Sequence, residues 1–255
     1  MIHPTAIVHP DAKLATNCII GPYCIIGEHV ELGDGCKLHP HVVIDGHTKL
    51  GVANEVFPFA SLGLKTQDLK WTGGMTRVEI GDHNTFREGV TIHSATEDGG
   101  VTRIGSHNNL LAYAHIAHDC VLGDNIVMSN VASLAGHVIV EDHAIIGGLT
   151  AVHQFCRVGR LAMVGGCSRV LQDIPPFMLA EGSPAASRTI NKVGMERSGI
   201  SEEAQTALRQ AYKIIYREGL TTSNALAQVE KELPALPEVQ QLVNFIRTSE
   251  RGIAR

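Results

Sequence analysis

Branched aliphatic residues recur at every sixth position along most of this chain. Counted in steps of six from Ile2, the in-phase positions are apolar as far as Val170, except at Asp68, Gly74 and Asp98. A helix repeats its apolar face every 3.6 residues, so it does not explain this spacing. A period of six fits one short strand plus one corner. Three such units close a triangular coil of eighteen residues.

The repeat predicts a mainly β fold, a left-handed parallel β-helix of about ten coils with a C-terminal α-helical domain. Its coils should stack about 4.8 Å apart, like neighbouring strands. The repeat is interrupted near residues 63–79 and 97–103. We expect loops to leave the coils there, and loops on a regular scaffold often carry function.

The apolar pattern becomes helical beyond about residue 187. We therefore expect a β-helix domain over residues 1–186 and a helical domain over residues 187–255. Within the second domain, helices should start after Ser201, after Thr222 and near Pro237. The first of these helices carries a basic stripe at i, i+4 and i+8, which is either a solvated face or a dock for an acidic partner. Its residues are Arg209, Lys213 and Arg217.

Composition excludes several classes of protein. The 255 residues carry a net charge of −5, which is not the basic balance of a nucleic-acid-binding protein. No apolar run reaches the ~20 residues of a transmembrane helix, and the first residues do not resemble a secretion signal. We therefore expect a cytoplasmic protein whose six cysteines are reduced. Inside the prism, Cys18, Cys24, Cys36 and Cys156 should serve as packing residues.

Histidines concentrate in one stretch of the strict repeat. His115 and His118 lie close together, His137 and His153 follow, and His93 precedes them. A step of eighteen residues from His118 reaches Gly136 and then Gln154, so these three should form one column along an edge of the prism. Asp119 and His137 should form the neighbouring column.

This column has the chemistry of a general base with an oxyanion donor. Asp119 can orient the His118 imidazole and stabilise it when protonated. Gly136 has no side chain to block its amide, which can then donate to an oxyanion. Cys120 is the nearest thiol, but it occupies a packing position, so we do not expect a covalent nucleophile. The set predicts direct acyl transfer to a bound hydroxyl or amine.

Two other hypotheses explain the same histidines. One class of carbonic anhydrase uses this prism and binds zinc with three histidines between subunits, and His93, His115 and His118 can imitate that set. A zinc-dependent hydratase is therefore an alternative. A trimeric prism without enzymatic activity is another, in which the histidines only fill corners.

From end to end, the chain resembles the acyl-carrier-protein-dependent UDP-N-acetylglucosamine O-acyltransferases, the family that starts lipid A synthesis. The resemblance rests on the histidine-rich motif, both loops and the tail together. The matching stretches are Gln67–Lys70, Thr76–Asp82, Arg87–His93, Ala114–Asp119, Leu134–His137, Ala151–Cys156, Val164–Cys167, Ala211–Arg217 and Arg251–Arg255.

The resemblance implies roles for individual residues. His118 matches the family's general base, Asp119 its partner carboxylate and Gly136 its oxyanion donor. Asp68 and Lys70 match residues that reach the sugar and acyl chain from a neighbouring subunit. The sugar or acyl contacts of the family are matched by His115, His137, Gln154 and His153. Gly166 matches the position that limits acyl length. The residues that hold uridine diphosphate are matched by Asn191 and Arg197.

The resemblance also implies the reaction and its partners. A 3-hydroxyacyl chain passes from acyl carrier protein to the 3-hydroxyl of UDP-N-acetylglucosamine, without metal or bound organic cofactor. Glycine at position 166 implies a longer acyl chain. The family is a homotrimer with sites between its prisms, and its acidic carrier protein suits the basic stripe.

Some residues depart from the family's usual pattern and leave alternatives open. Ser94-Ala95-Thr96 stands where the family usually has Arg-Gly-Thr, which leaves open a variant sugar with a 3-amino group. Val193 and Ser198 depart near the expected nucleotide contacts.

Two further alternatives share the fold. They are the N-acyltransferase acting later in lipid A synthesis, which usually has an extra N-terminal domain, and a shorter acetyl-CoA-dependent acetyltransferase.

Overall fold

The computed structural model describes all residues, 1–255, and its main body is a prism of three parallel sheets. Residues eighteen apart pair side by side, as Ile25 does with Val43. The in-phase aliphatics point inward, and Ile44, Leu110 and Leu134 have no exposed surface. Burial of this aliphatic column together with the ladder between coils produces the left-handed β-helix that the period predicts.

Most strands are only two residues long, because each covers one side of a triangular coil. In chain order β1–β9 are Ile7–Val8, Lys13–Leu14, Ile19–Ile20, Ile25–Ile26, Glu31–Leu32, Lys37–Leu38, Val43–Ile44, His47–Leu50 and Glu55–Val56. Strands β10–β18 are Ser61–Leu64, Arg77–Ile80, Thr85–Phe86, Thr91–His93, Val101–Ile104, Asn109–Leu110, His115–Ile116, Val121–Leu122 and Val127–Met128. Strands β19–β27 are Ser133–Leu134, Ile139–Val140, Ile145–Ile146, Ala151–Val152, Arg157–Val158, Met163–Val164, Arg169–Val170, Met178–Gly182 and Ala185–Ile190.

Every third strand belongs to the same face of the prism. The first face runs from β1 to β25, the second from β2 to β23 and the third from β3 to β26, which pairs in turn with β27. Chain corners between the first and second faces form the edge that we call the His118 edge. Its outermost residues in successive coils are Asp119, His137 and Phe155, all with φ near +60°.

Two loops leave the prism at the His118 edge. Residues 65–76 connect β10 to β11, and residues 94–100 connect β13 to β14. Ser61 pairs with Thr91 and Thr91 with His115, so the first loop adds two hexads to its coil and the second adds one. Because whole hexads are added, the inward phase of the aliphatics is unchanged after each loop.

A hairpin and four helices follow the last coils. Strands β26 and β27 pair antiparallel, and the expected domain boundary at residues 186 and 187 lies within β27. The helices are Lys192–Arg197 (α1), Glu202–Arg217 (α2), Thr222–Glu232 (α3) and Pro237–Arg247 (α4). Ser201 and Thr221 cap α2 and α3 through their hydroxyls. None of these helices combines the length and apolar character that a membrane crossing requires.

The end of the chain returns to the prism. Ile253 pairs with Asp173, and the Ala254 amide donates to the Asp173 carbonyl at 2.9 Å. The Ser249 hydroxyl donates to the Asp173 carboxylate at 2.7 Å. These contacts close the last coil, where the sheet edge would otherwise be exposed.

A ladder of buried asparagines crosses the coils that carry the two loops. Asn84 Nδ2 donates to Asn54 Oδ1 at 3.0 Å and to the Gly105 carbonyl at 2.9 Å. Asn84 Oδ1 accepts from the Asn108 amide at 2.9 Å. Asn84 has no exposed surface, so water does not reach its side chain. The bonds of the ladder supply the hydrogen-bond partners that these buried polar groups need.

Asn84→Ala should destabilise the protein by about 2–4 kcal/mol, because it leaves the Asn108 amide and the Gly105 carbonyl buried without partners. Denaturant unfolding measures this loss. The matched control is Asn109→Ala, since Asn109 lies on the outer surface of the same coil system, and it should change stability by less than about 0.5 kcal/mol. Equal stabilities of the two variants would contradict the structural role of the ladder.

Candidate active site on the His118 edge

His118 and Asp119 form a close pair at a corner of the prism. His118 Nδ1 lies 2.9 Å from Asp119 Oδ2, and the side chain of His118 is only 12% exposed. The Asp119 amide donates to Thr102 Oγ1 at 2.8 Å, which holds the corner in its left-handed conformation. The carboxylate can therefore fix Nδ1–H of the ring and leave Nε2 free to accept a proton.

Gly136 lies directly against the His118 ring, one coil further along. A Cβ at position 136 would stand 2.3 Å from His118 Cε1 and 2.5 Å from Nε2, so a larger residue would displace the ring. The His137 amide donates to the His118 carbonyl at 3.0 Å, and the Phe155 amide to the Gly136 carbonyl at 3.2 Å. The structure thus stacks His118, Gly136 and Gln154 as the eighteen-residue step predicts.

The first loop carries Asp68 to the other side of the same ring. Asp68 Oδ2 lies 3.7 Å from His118 Nε2, within a single chain. Asp68 lies beside His118 of its own chain because the loop leaves the prism at the same edge as His118. That Asp68 reaches the sugar and acyl chain of a neighbouring subunit's site stays a prediction. Lys70 is exposed near the tip of the loop, and its amide donates to Asp68 Oδ1 at 2.9 Å.

His115 and His93 line the first face beside His118. His115 Nδ1 lies 2.7 Å from Thr91 Oγ1, and its ring meets that of His93 edge-on at 5.2 Å. Burial, together with positive charge on His115 and His118, lowers the pKa of His93 to about 4. Burial and His118 likewise lower the pKa of His115. Both rings therefore favour the neutral form.

The remaining predicted contacts on this edge lie towards the C-terminal coils. The His137 ring stacks on Phe155 at 4.7 Å, and its Nε2 lies 3.8 Å from Asp119 Oδ2. His153 and Gln154 are exposed, and His153 Nδ1 lies 3.1 Å from the Gln154 carbonyl. Together with His118, these side chains form a polar strip with one aromatic surface.

Three predicted site residues lie elsewhere on the chain. Gly166 is at the corner between the third and first faces, and Arg197 is exposed at the end of α1. Asn191 is buried, and both ends of its side chain are engaged. Its Nδ2 donates to the Leu161 carbonyl at 2.9 Å, and its Oδ1 accepts from the Gly194 amide at 3.0 Å to cap α1. One chain does not bring these residues to His118.

Metal-ligand atoms converge at a different set from the one that the zinc hypothesis named. The group whose ligand atoms all lie within 4.8 Å of one another is His118, Asp119 and His137. His93 and His115 do not belong to this group. The expected set of three histidines is therefore not the cluster that forms.

Cys120, the nearest thiol, is buried in the prism. Its Sγ donates to the Ala135 carbonyl at 3.1 Å. Burial raises the pKa of Cys120 to about 12, so the thiol form dominates and a thiolate nucleophile is disfavoured. The buried Cys18, Cys24, Cys36 and Cys156 match their expected packing role.

Sequence reasoning missed the threonines that support Asp119. Thr102 accepts the Asp119 amide, and the Thr96 amide donates to Asp119 Oδ2 at 3.1 Å. Their position at either end of the second loop is the only signal in the sequence. Neither threonine lies a multiple of eighteen residues from His118, which is the spacing that reveals Gly136 and Gln154.

The hexad prism with a histidine–carboxylate corner defines a hexapeptide-repeat transferase. A family model described as bacterial transferase hexapeptide (six repeats) matches residues 11–46. A second, described as UDP N-acetylglucosamine O-acyltransferase, domain 2, matches residues 173–254.

Full-length relatives narrow the class. An acyl-[acyl-carrier-protein]–UDP-N-acetylglucosamine O-acyltransferase of Thiobacillus denitrificans is 53% identical over 100% of this chain and 99% of its own length. The structure of LpxA from Acinetobacter baumannii matches with a TM-score of 0.97 at 47% identity, covering 100% and 99% of the two chains. That of LpxA, a UDP-N-acetylglucosamine acyltransferase from Bacteroides fragilis, matches with a TM-score of 0.97 at 42% identity over the whole of both chains. The chain belongs to the UDP-N-acetylglucosamine O-acyltransferase family.

The pKa of His93 should be measurable by NMR titration of its ring, assigned against a His93→Gln spectrum. We expect a midpoint near pH 4, because the ring is 6% exposed and faces two other histidines. An unfolded chain binds this proton near pH 6.5. The contribution of His93 to stability is therefore complete above about pH 6.5 and is lost as the pH falls towards 4. A midpoint at or above pH 6 would contradict the buried environment.

Proposed function

We propose that this protein transfers a 3-hydroxyacyl chain from acyl carrier protein to the 3-hydroxyl of UDP-N-acetylglucosamine, the first step of lipid A biosynthesis. The observation that carries the proposal is the stack of Asp119, His118 and Gly136 on one edge of the prism. The relatives that match the full chain are named for this acyltransferase activity.

The geometry supports a direct transfer. His118 Nε2 takes the proton of the acceptor hydroxyl while Asp119 stabilises the imidazolium. The hydroxyl oxygen attacks the thioester carbonyl, and the Gly136 amide donates to the resulting oxyanion. Collapse breaks the carbon–sulfur bond. The phosphopantetheine thiolate leaves with the proton from His118, which returns to its starting state.

Each substrate meets residues with suitable chemistry. On the His118 edge, the sugar and acyl chain would contact Asp68, Lys70, His115, His137, His153 and Gln154. Gly166 would bound the acyl chain, because its missing side chain leaves room that a larger residue would fill; a Cβ there would already stand 3.2 Å from the Gly148 carbonyl. This space suits a longer acyl chain. No metal or organic cofactor takes part in this mechanism.

A homotrimer, which the family resemblance implies, would complete this site. Gly166, Asn191 and Arg197 lie away from the His118 edge of their own chain, so a complete site needs a second chain to supply them. We assign nucleotide binding to Arg197, which is exposed. The side chain of Asn191 is already bonded at both ends, so it supports the site by capping α1 or by exchanging those bonds for the nucleotide.

The helical part offers a surface for the carrier protein. Arg209, Lys213 and Arg217 lie exposed along α2, and no acidic side chain of this chain pairs with them. Acyl carrier protein is acidic, so charge complementarity favours docking here. We retain residues 1–186 as the acyltransferase domain and residues 187–255 as the docking domain. Six unpaired cysteines suit the reducing cytoplasm.

His118→Ala should lower kcat by at least ~10²-fold, the usual scale for loss of a general base. Its melting temperature should stay near that of the wild type, because His118 is at a corner and outside the aliphatic core. The measurement is a steady-state assay with radiolabelled UDP-N-acetylglucosamine. His143→Asn, at another corner of the prism, is the matched control and should retain activity. Full activity of His118→Ala would remove His118 from the mechanism.

The double variant Arg209→Glu/Lys213→Glu should raise KM for acyl carrier protein by about tenfold or more, with kcat and the KM for sugar unchanged. Reversal of two charges weakens encounter with an acidic partner, and the effect should shrink at high salt. Lys231→Glu, on α3, is compared with Lys213→Glu alone, because both variants change the net charge by the same amount. An unchanged KM for the carrier protein would place its dock elsewhere.

A further inference from the structure

The two loops beside His118 meet through a hydrogen bond between hydroxyls. Thr66 Oγ1 and Thr96 Oγ1 lie 2.9 Å apart, and Thr66 is only 3% exposed. Thr66 belongs to the loop of residues 65–76 and Thr96 to the loop of residues 94–100. This bond therefore joins two segments that are separate in the sequence and independent of the hexad ladder.

Each of these threonines also bonds to one of the two aspartates that flank His118. The Thr96 amide donates to Asp119 Oδ2 at 3.1 Å. On the other side, the Asp68 amide donates to Thr66 Oγ1 at 3.1 Å. Since Asp119 bonds to Nδ1 and Asp68 faces Nε2, the bonds form a circuit that begins and ends on His118.

The circuit is open at one point. Asp68 Oδ2 and His118 Nε2 are 3.7 Å apart, which is longer than a hydrogen bond. In the proposed mechanism, the acceptor oxygen must approach Nε2 at this point. The position of Asp68 across the gap then depends on the threonine bridge, which ties its loop to the loop that supports Asp119.

We propose that Thr66 and Thr96 are positioning residues for acyl transfer. Their bridge sets the spacing of Asp68 and Asp119 around His118, and so orients the acceptor hydroxyl against the base. This inference rests on the proposed function. Neither threonine touches the reacting atoms, so their effect passes through the two carboxylates.

Other contacts between the loops should hold them together when the bridge is removed. Thr76 Oγ1 donates to Ser94 Oγ at 3.1 Å in a buried position. The Met75 amide donates to Asp98 Oδ1 at 2.7 Å, and the Gly99 amide to the Met75 carbonyl at 2.8 Å. These bonds join the loops away from His118, so removal of the hydroxyl bridge should leave both loops in place but loosen the end nearest the site.

The experiment compares Thr66→Val, Thr96→Val and the double variant in steady-state acyl transfer. Each single variant should lower kcat/KM for the sugar by about tenfold, the rate equivalent of one lost hydrogen bond. The KM for acyl carrier protein should not change. The double variant should lose no more than Thr66→Val alone, because that substitution already removes the bridge together with the acceptor of the Asp68 amide. Thr66→Ser and Thr96→Ser keep the hydroxyl and should restore activity to within about twofold.

Thr48→Val is the matched control. Thr48 is 1% exposed, and its hydroxyl donates to the Asp45 carbonyl within the prism and not to either loop. A merely structural role for the bridge would lower the melting temperatures of all the valine variants and leave kcat/KM per folded enzyme unchanged. If Thr66→Val does not fold, Thr96→Val still tests the same bond, because Thr96 is only half-buried.

Two outcomes separate the inference from the proposed function. If the wild type makes no acylated sugar, the proposed function fails and the threonine variants carry no information about it. If the wild type is active and both valine variants stay within twofold of it, the positioning role is overturned. Fully additive losses in the double variant would also overturn it, since the two hydroxyls would then act separately.

Discussion

The parallel ladder between coils is the constraint on which the rest of this structure depends. Residues eighteen apart must pair, and an aliphatic side chain must enter the prism at each sixth position. A one-residue slip would turn that side chain to the surface and cost the burial of a complete column. Insertions are therefore tolerated as whole hexads, which is how both loops leave the prism without changing its phase.

The ladder also creates the site. Corners of successive coils stack at one edge, so three residues that are distant in the sequence become neighbours. Gly136 is where this stacking demands a particular residue, because the His118 ring occupies the space of its missing side chain. The loops then surround the ring with a second carboxylate that the ladder alone does not place there. Scaffold and loops thus supply different parts of the same chemistry.

Sequence arithmetic predicts the parts that obey the repeat. The step of eighteen residues places His118, Gly136 and Gln154 in one column, and the structure stacks them. The starts of α2 and α4 follow from Ser201 and Pro237. The family resemblance adds roles for residues outside the repeat, which periodicity does not reach.

Other features escape prediction because they depend on contacts without a period. Helix α1 is six residues long and contains Gly194, so it has no apolar stripe to detect. The β26–β27 hairpin follows the end of the hexads and pairs antiparallel. The two loops are held together by side-chain bonds such as that between Thr76 and Ser94. For this reason the sequence does not reveal that Asp68 lies against His118 of its own chain.

The most direct test of the account is an acyl-transfer assay with purified, chelator-treated wild-type protein. UDP-N-acetylglucosamine and its 3-amino analogue would be offered as acceptors, with a panel of 3-hydroxyacyl carrier proteins and the matching acyl-CoAs as donors. The account predicts acylation of UDP-N-acetylglucosamine from carrier-protein donors without added metal. The absence of acylated sugar with every donor, or CO₂ hydration that appears only with added zinc, would contradict it.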